Sequence, residues 1–241
     1  VKPLLFLHGW AQSQQIWCRQ RAAFPDAQAL NLPGHGGAPD VAADAWAETV
    51  ARQLPDEPCV LVGWSLGGML ALDIARRWPD RIAALALVAT TPRFRRAPDW
   101  PPGCEDDLFA GFEAAVADES MRLLSRFFSL MLHGDALERR ARNELARAAV
   151  DRRRPASPAG LSAGLELLAE IDLREALPGI SAPAVIMHGE QDAIVPFAAG
   201  RQLAGAMPQA RIEHFADCGH APFLTRPERF NTILHNWWSN L

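Results

Sequence analysis

Short apolar runs alternate along this chain with stretches of helical pattern, and that alternation admits few folds. The runs lie at residues 4–7, 29–32, 59–62, 84–88, 184–187 and 211–215. They lack strict polar–apolar alternation and are bracketed by Gly or Pro, which suits strands buried on both faces. Helical patterns at 67–78, 197–207 and 227–240 intervene. Repeated strand, helix, strand is the rhythm of a mostly parallel sheet flanked by helices. The rhythm breaks between about 98 and 177, where strand-like runs are missing and several helices are expected between two Pro-rich turns. An all-helical insertion into a parallel α/β core covers the carboxyl ends of the strands, where such sheets bind ligands. The expected division is a core of residues 1–97 and 178–241 with a helical cap, or lid, at 98–177.

Composition narrows the function classes. A chain of 241 residues, 49% hydrophobic and 22% charged, is long enough for one large core carrying an insertion. No apolar run approaches the roughly 18 residues that span a bilayer. Residues 4–7 have no basic stretch before them and no small-residue cleavage site after them, so they read as a strand and not a signal peptide. A cytoplasmic location and no membrane partner are expected by default. Cys18, Cys59, Cys104 and Cys218 form no CxxC pair, so reduced thiols are expected. Cys218 lies two residues before His220, but a buried thiol is the favoured reading of it. A net charge of −4 argues against a general nucleic-acid binder.

Gly63-Trp64-Ser65-Leu66-Gly67-Gly68 follows directly on the run at 59–62 and opens a helical stretch. Gly-x-Ser-x-Gly alone occurs by chance; between strand and helix it marks a nucleophile elbow. The serine must sit in a sharp, strained turn, so small residues are needed on either side of it. The helix that follows offers free N–H groups near developing negative charge. A serine hydroxyl needs a base, and the base needs a carboxylate. In the expected chain order, Asp192 lies in the loop after the run at 184–187, and His220 in the loop after 211–215. Glu190 and Asp217 compete for the acid's place. Glu190 is nearer its strand end, and Asp217 shares the histidine's own loop, so Asp192 is preferred. His8, His35, His133, His188, His214 and His235 are less well placed as the base. The turn after the first strand, His8-Gly9-Trp10, would bring the backbone N–H of Trp10, together with that of Leu66, to an oxyanion. The similar turn Asn31-Leu32-Pro33-Gly34-His35-Gly36 is expected to serve as scaffold.

Taken together, His-Gly-Trp at 8–10, Leu-Pro-Gly-His-Gly at 32–36, Gly-Trp-Ser-Leu-Gly-Gly at 63–68, His-Gly-Glu-Gln-Asp at 188–192 and Gly-His-Ala-Pro-Phe at 219–223 resemble the α/β-hydrolase superfamily over essentially the whole chain. Trp10, Trp64, Trp100-Pro101, Ala110-Gly111-Phe112, Arg126-Phe127, Gly164-Leu165-Glu166 and Asp172-Leu173-Arg174 look like the pimeloyl-[acyl-carrier protein] methyl ester esterases of biotin synthesis. The resemblance implies a serine carboxylesterase that releases methanol from the methyl ester of a carrier-bound pimeloyl chain. It carries the nucleophile to Ser65, the acid to Asp192 and the base to His220. It carries substrate contacts to Trp10, Ser65, Leu66, Phe127, Phe128, Ser129, Leu130, Met131 and His220. It implies no metal and no organic cofactor, small esters as further substrates, and a monomer. Some features depart from the family. The sequence starts almost at the strand before His8 where earlier strands are usual, so either the sheet edge is short or the sequence is trimmed at its start. Asn31 stands where an acidic residue is common, and the cap arginines match in part.

Residues 121–154 hold nine arginines against four acids. In a helical reading, Arg122 and Arg126 share a face, and Leu137, Ala141, Leu145 and Ala148 form a buried stripe that leaves Arg139, Arg140, Arg142 and Arg147 outside it. An acidic acyl-carrier protein would be drawn to Arg122, Arg126, Arg139, Arg140 and Arg142. The plainer reading is a solvated face in a chain with a single lysine. Two rivals to the esterase reading are another short-chain esterase or carbon–carbon bond hydrolase on the same scaffold, and a non-catalytic binding protein that keeps the fold. The second would be expected to have lost Ser65, Asp192 or His220, and all three are present.

Overall fold

The computed structural model of the chain describes residues 1–118, 127–135, 137–148, 151 and 153–241. Six strands, β1 (Leu4–Leu7), β2 (Gln28–Leu30), β3 (Cys59–Trp64), β4 (Ile82–Val88), β5 (Ala184–Gly189) and β6 (Ala210–Phe215), form one parallel sheet in the order β2-β1-β3-β4-β5-β6. In β1, β3 and β5 every residue is buried, as continuous apolar runs covered by helices on both sheet faces require. The outermost strands correct the expectation of burial on both faces. β2 is half open, and β6 exposes Arg211 and His214, because each has a neighbour on one side only.

The strand order reverses between β1 and β3. From β1 the chain goes out to the β2 edge, then returns to place β3 on the other side of β1. Loops leaving β1 and β3 therefore diverge and open a crevice at the carboxyl ends of the strands, which is where open α/β sheets take their ligands. The Leu66–Arg77 helix, which follows β3, is buried along most of its length because it lies between the sheet and the Trp46–Ala51 and Pro158–Glu170 helices. Ring packing of Trp17 on Phe6 at 4.9 Å and on Phe223 at 4.1 Å joins the sheet to the last helical segment, where Phe230 and Leu234 of the Pro227–Trp238 helix are also buried.

Between β4 and β5 the described residues contain helices at Asp106–Ala117, 127–131, Arg139–Ala148 and Pro158–Glu170, with no named strand. The two chain passages at the base of this region are cross-tied. Leu173 N–H donates to Pro92 O at 2.9 Å, Arg93 meets Asp172 at 2.7 Å, and Arg174 bridges Asp172 at 2.7 Å and Asp99 at 2.9 Å. The Pro158–Glu170 helix is capped by Ser157, which accepts from Gly160 N–H, and begins at Pro158, a residue suited to the first helical position. Its first turn lies on the 32–36 turn. Ser157 N–H donates to Gly34 O at 2.8 Å, and a Cβ on Gly160 would stand 2.7 Å from Gly34 Cα. Only two glycines allow the backbones to come this close.

Candidate active site

Ser65 links β3 to its helix with φ 53° and ψ −119°, a left-handed conformation that side chains rarely adopt. The neighbours that hold it there are specific. Ser65 N–H donates to Val88 O at 2.9 Å, and the Thr90 hydroxyl donates to Ser65 O at 2.7 Å. Glycine is required on both sides: a Cβ on Gly63 would lie 2.5 Å from Gly67 O, and one on Gly67 would lie 2.5 Å from Leu7 O and from His8 O. The helix therefore starts pressed against the end of β1, and the Leu66 N–H, at its first residue, precedes the internal hydrogen-bond ladder.

The two loops expected to supply base and acid meet. His220 Nδ1 donates to Asp192 Oδ2 at 2.7 Å, with both side chains buried. The proton is thus on Nδ1, and Nε2 carries a lone pair. That nitrogen is buried and has no hydrogen-bond partner among the described residues. Trp64, immediately before the serine, donates from its indole to His220 O at 2.8 Å and packs its ring 5.4 Å from the imidazole, so elbow and histidine loop are joined directly. Asp192 Oδ1 accepts the N–H groups of Ile194 and Val195, each at 2.9 Å. Burial alone would raise the Asp192 carboxyl, but its attraction for an imidazolium at His220, with the N–H groups that His188 and His220 turn toward it, outweighs burial, and the group is held below the ordinary carboxylate range. The competing acids are accounted for: Glu190 is paired with exposed His214, and the Asp217 side chain is exposed.

The first loop is braced by two histidines in the same tautomer. His8 donates from Nδ1 to Gly9 O at 2.8 Å and accepts Leu32 N–H on Nε2 at 2.9 Å. His35 donates from Nδ1 to Pro33 O at 2.8 Å and accepts Ala11 N–H on Nε2 at 3.2 Å. Burial, with the adjacent His35, pulls the His8 pKa down to about 3; burial also pulls His35 down to about 4, against its bond to Pro33. Both rings stay neutral as hinge pins between the turns after β1 and β2, in keeping with the scaffold expected of the second turn. Trp10 joins this loop to the helices between β4 and β5. Its indole donates to Leu161 O at 2.9 Å, and its ring meets Phe127 edge-on at 5.2 Å and Phe112 at 5.7 Å. A Cβ on Gly164 would touch Trp10 Cδ1 at 2.7 Å and Leu66 Cδ2 at 3.4 Å, so the two expected oxyanion donors share one neighbour on the Pro158–Glu170 helix.

The expected cap contacts divide. Phe127 joins the Trp10 cluster, and Phe128 packs on Phe127 at 5.7 Å. Leu130 is half-buried and Ser129 exposed. Met131 is fully buried, and its carbonyl accepts His220 N–H at 2.9 Å. Arg139 and Arg140 are exposed on their helix, with Arg140 paired to Glu144 at 2.9 Å. Leu137, Ala141 and Leu145 are half-buried, a shallower stripe than expected. Arg122, Arg126 and the side chains of Arg142, Arg147 and Ala148 lie outside the described residues. Cys218 is a buried thiol, 3.2 Å from the Thr225 hydroxyl and pushed up to about 12 by burial. Among the described residues, no group of His, Cys, Asp or Glu side chains is arranged to hold a metal ion. Two residues join the site with no motif to mark that role: His188, whose Nε2 donates to Val195 O at 2.9 Å and lies 3.3 Å from Asp192 Oδ2, and Thr90, whose hydroxyl holds Ser65 O.

A family model described as the alpha/beta hydrolase fold matches residues 2–227. The chain belongs to the α/β-hydrolase family. Within it, the chain is 41% identical to the pimeloyl-[acyl-carrier protein] methyl ester esterase of Aromatoleum aromaticum, over 97% of this chain and 96% of that one. It is 39% identical to the protein of the same name from Nitrosomonas europaea, over 94% and 92%. The solved esterase of Exiguobacterium antarcticum superimposes with a TM-score of 0.86 at 22% identity, over 98% of this hydrolase and 91% of that chain, a likeness of fold.

Proposed function

We propose that this hydrolase cleaves the methyl ester of pimeloyl-[acyl-carrier protein], releasing methanol and the carrier-bound acid in biotin synthesis. The substrate rests on near-full-length similarity to esterases of that name. The chemistry rests on one observation: a buried imidazole whose Nδ1 proton is held by Asp192, and whose Nε2 is free, on a loop bonded to the residue before a strained serine. In this reading Nε2 of His220 takes the Ser65 proton as the hydroxyl attacks the ester carbonyl, and Asp192 stabilises the imidazolium. The oxyanion is held by the backbone N–H groups of Trp10 and Leu66, each such donor lowering the barrier by about 3 kcal/mol. Methanol leaves with the proton from His220, and water repeats the sequence on the acyl-enzyme. No metal or organic cofactor enters these steps.

Residues 98–177 act as the cap in this reading, with Trp10, Phe112, Phe127 and Phe128 as the apolar wall along the acyl chain. The exposed Arg139 and Arg140 receive the acidic carrier, and Arg122, Arg126 and Arg142, whose side chains lie outside the described residues, are the sequence's further candidates for that role. A cytoplasmic site of action goes with a carrier-bound substrate. The decisive measurement is turnover of methyl pimeloyl-carrier protein beside labelling by a fluorophosphonate. Wild type is expected to release methanol and to be labelled, and Ser65→Ala to do neither. A labelled enzyme that leaves the carrier-bound ester intact would refute the substrate; an unlabelled wild type would refute the serine mechanism. Charge reversal at Arg139 and Arg140 is expected to slow carrier-linked turnover at low salt while sparing small esters.

A further inference from the structure

The loop that carries His220 is held partly from outside the core. Two successive backbone amides on it find their acceptors in the segment 131–135, which belongs to the insertion between β4 and β5. His220 N–H donates to Met131 O at 2.9 Å, and Gly219 N–H donates to Asp135 Oδ2 at 3.2 Å. The fit is close: a Cβ on Gly219 would collide with His133 O and lie 3.0 Å from Met131 O. The same segment reaches the acid's loop, where Gly134, at φ 82°, leaves no room for a Cβ against Gln191, the residue before Asp192. Asp135 itself is 6% exposed, a rare place for a carboxylate; it makes no salt bridge among the described residues, and its Oδ1 has no hydrogen-bond partner among them. Burial pushes its pKa up, against the pull of Thr225, Gly219 N–H, Cys218 and Arg226 around it.

We propose that Asp135 is a positioning residue for His220: its carboxylate, with the Met131 carbonyl, clamps the Gly219-His220 backbone from the insertion side and so sets where Nε2 points. A carboxylate kept buried is costly, and a merely structural contact at this position could be apolar. What it provides is a fixed acceptor for an amide one residue from the base. The core alone leaves the base loop short of two acceptors, so the base is aligned only when the insertion is seated.

This inference rests on the reading of His220 as base, and it is tested with a small nitrophenyl ester, so the identity of the natural acyl group does not enter. Wild-type turnover of that ester and fluorophosphonate labelling of Ser65 report the serine mechanism separately. Asp135→Ala is expected to lower kcat about ten- to a hundredfold, the range for a misplaced catalytic group, with KM within twofold. Asp135→Asn, which keeps an acceptor oxygen for Gly219 N–H, is expected to stay within about threefold of wild type. If the alanine variant does not accumulate in folded form, Asp135→Glu takes its place, because the extra methylene displaces the acceptor and is expected to cost kcat likewise. A folded Ala or Glu variant with wild-type kcat, a loss confined to KM, or an Asn variant as impaired as Ala would each overturn the proposal.

Discussion

At the scale of single residues, the surroundings of Asp192 determine what an amide in its place would do. Oδ1 is committed to two backbone N–H donors, Ile194 and Val195. In Asp192→Asn the amide oxygen must keep that position, because an NH2 group there would face two donors. The NH2 group is then directed at His220 Nδ1, which must give up its proton and accept. The proton moves to Nε2, and the base is lost. Asp192→Asn is therefore expected to fold normally and to lose kcat by a factor on the order of 10⁴, with little change in KM, in steady-state kinetics on any ester turned over. The place of Asp192 beside His220 was legible in sequence because strand, loop and chain order are local patterns. His188 was not: it belongs to β5 as a buried strand residue, and only the curl of the loop through Val195 brings the carboxylate back beside it.

At the scale of elements, the contact between the Leu66–Arg77 helix and the end of β1 is set by glycine. Two carbonyl oxygens, those of Leu7 and His8, face the missing Cβ of Gly67, and both are backbone in a buried strand and its turn. Gly67→Ala must push the helix off β1, and a destabilisation of about 1–3 kcal/mol is expected in denaturant unfolding, together with loss of activity as Leu66 N–H moves away from Trp10. Gly111 supplies the contrast. It is exposed in the middle of the Asp106–Ala117 helix, with nothing within 4 Å of a built Cβ. Gly111→Ala is expected to raise stability by about 0.4–1 kcal/mol, because alanine loses less backbone freedom on folding. The motif pattern predicts the first glycine's importance. The second glycine looked like part of a family signature, and the helix geometry shows it as an open surface position.

At the scale of the whole molecule, the neutral pins His8 and His35 make stability depend on pH. Unfolded, each histidine takes up a proton below about pH 6.5. Folded, His8 resists protonation down to about 3 and His35 down to about 4. The unfolded chain therefore binds more protons throughout this window, and stability falls as pH drops from about 6.5 toward 4. The two together give a slope of up to about 2.7 kcal/mol per pH unit. Denaturant midpoints measured between pH 7 and 5 check this, and replacing His35 by the non-titrating Asn should remove about half of the slope. A flat profile over that interval would mean that the rings are not neutral pins. Asp192, held low, contributes stability that is lost only below about pH 4, a separate window.

Taken alone, the sequence determined the parallel sheet, the interruption by helices, the elbow at Ser65, and Asp192 and His220 as partners, because each is written in local periodicity or in short spacings. The limits of burial on the edge strands, the brace of His188 and Thr90, the pairing of His8 with His35 across two turns, and the grip of residues 131–135 on the histidine loop were decided by tertiary structure. His188 meets Asp192 and Val195 four and seven positions along through the curl of the loop, and the others join residues 25 to 89 positions apart, where no local pattern encodes which of two distant groups will find the other. The elbow could be read from five neighbouring residues. The hydrogen bonds from Gly219 and His220 to residues 131–135 required the folded chain to bring the insertion down onto the core.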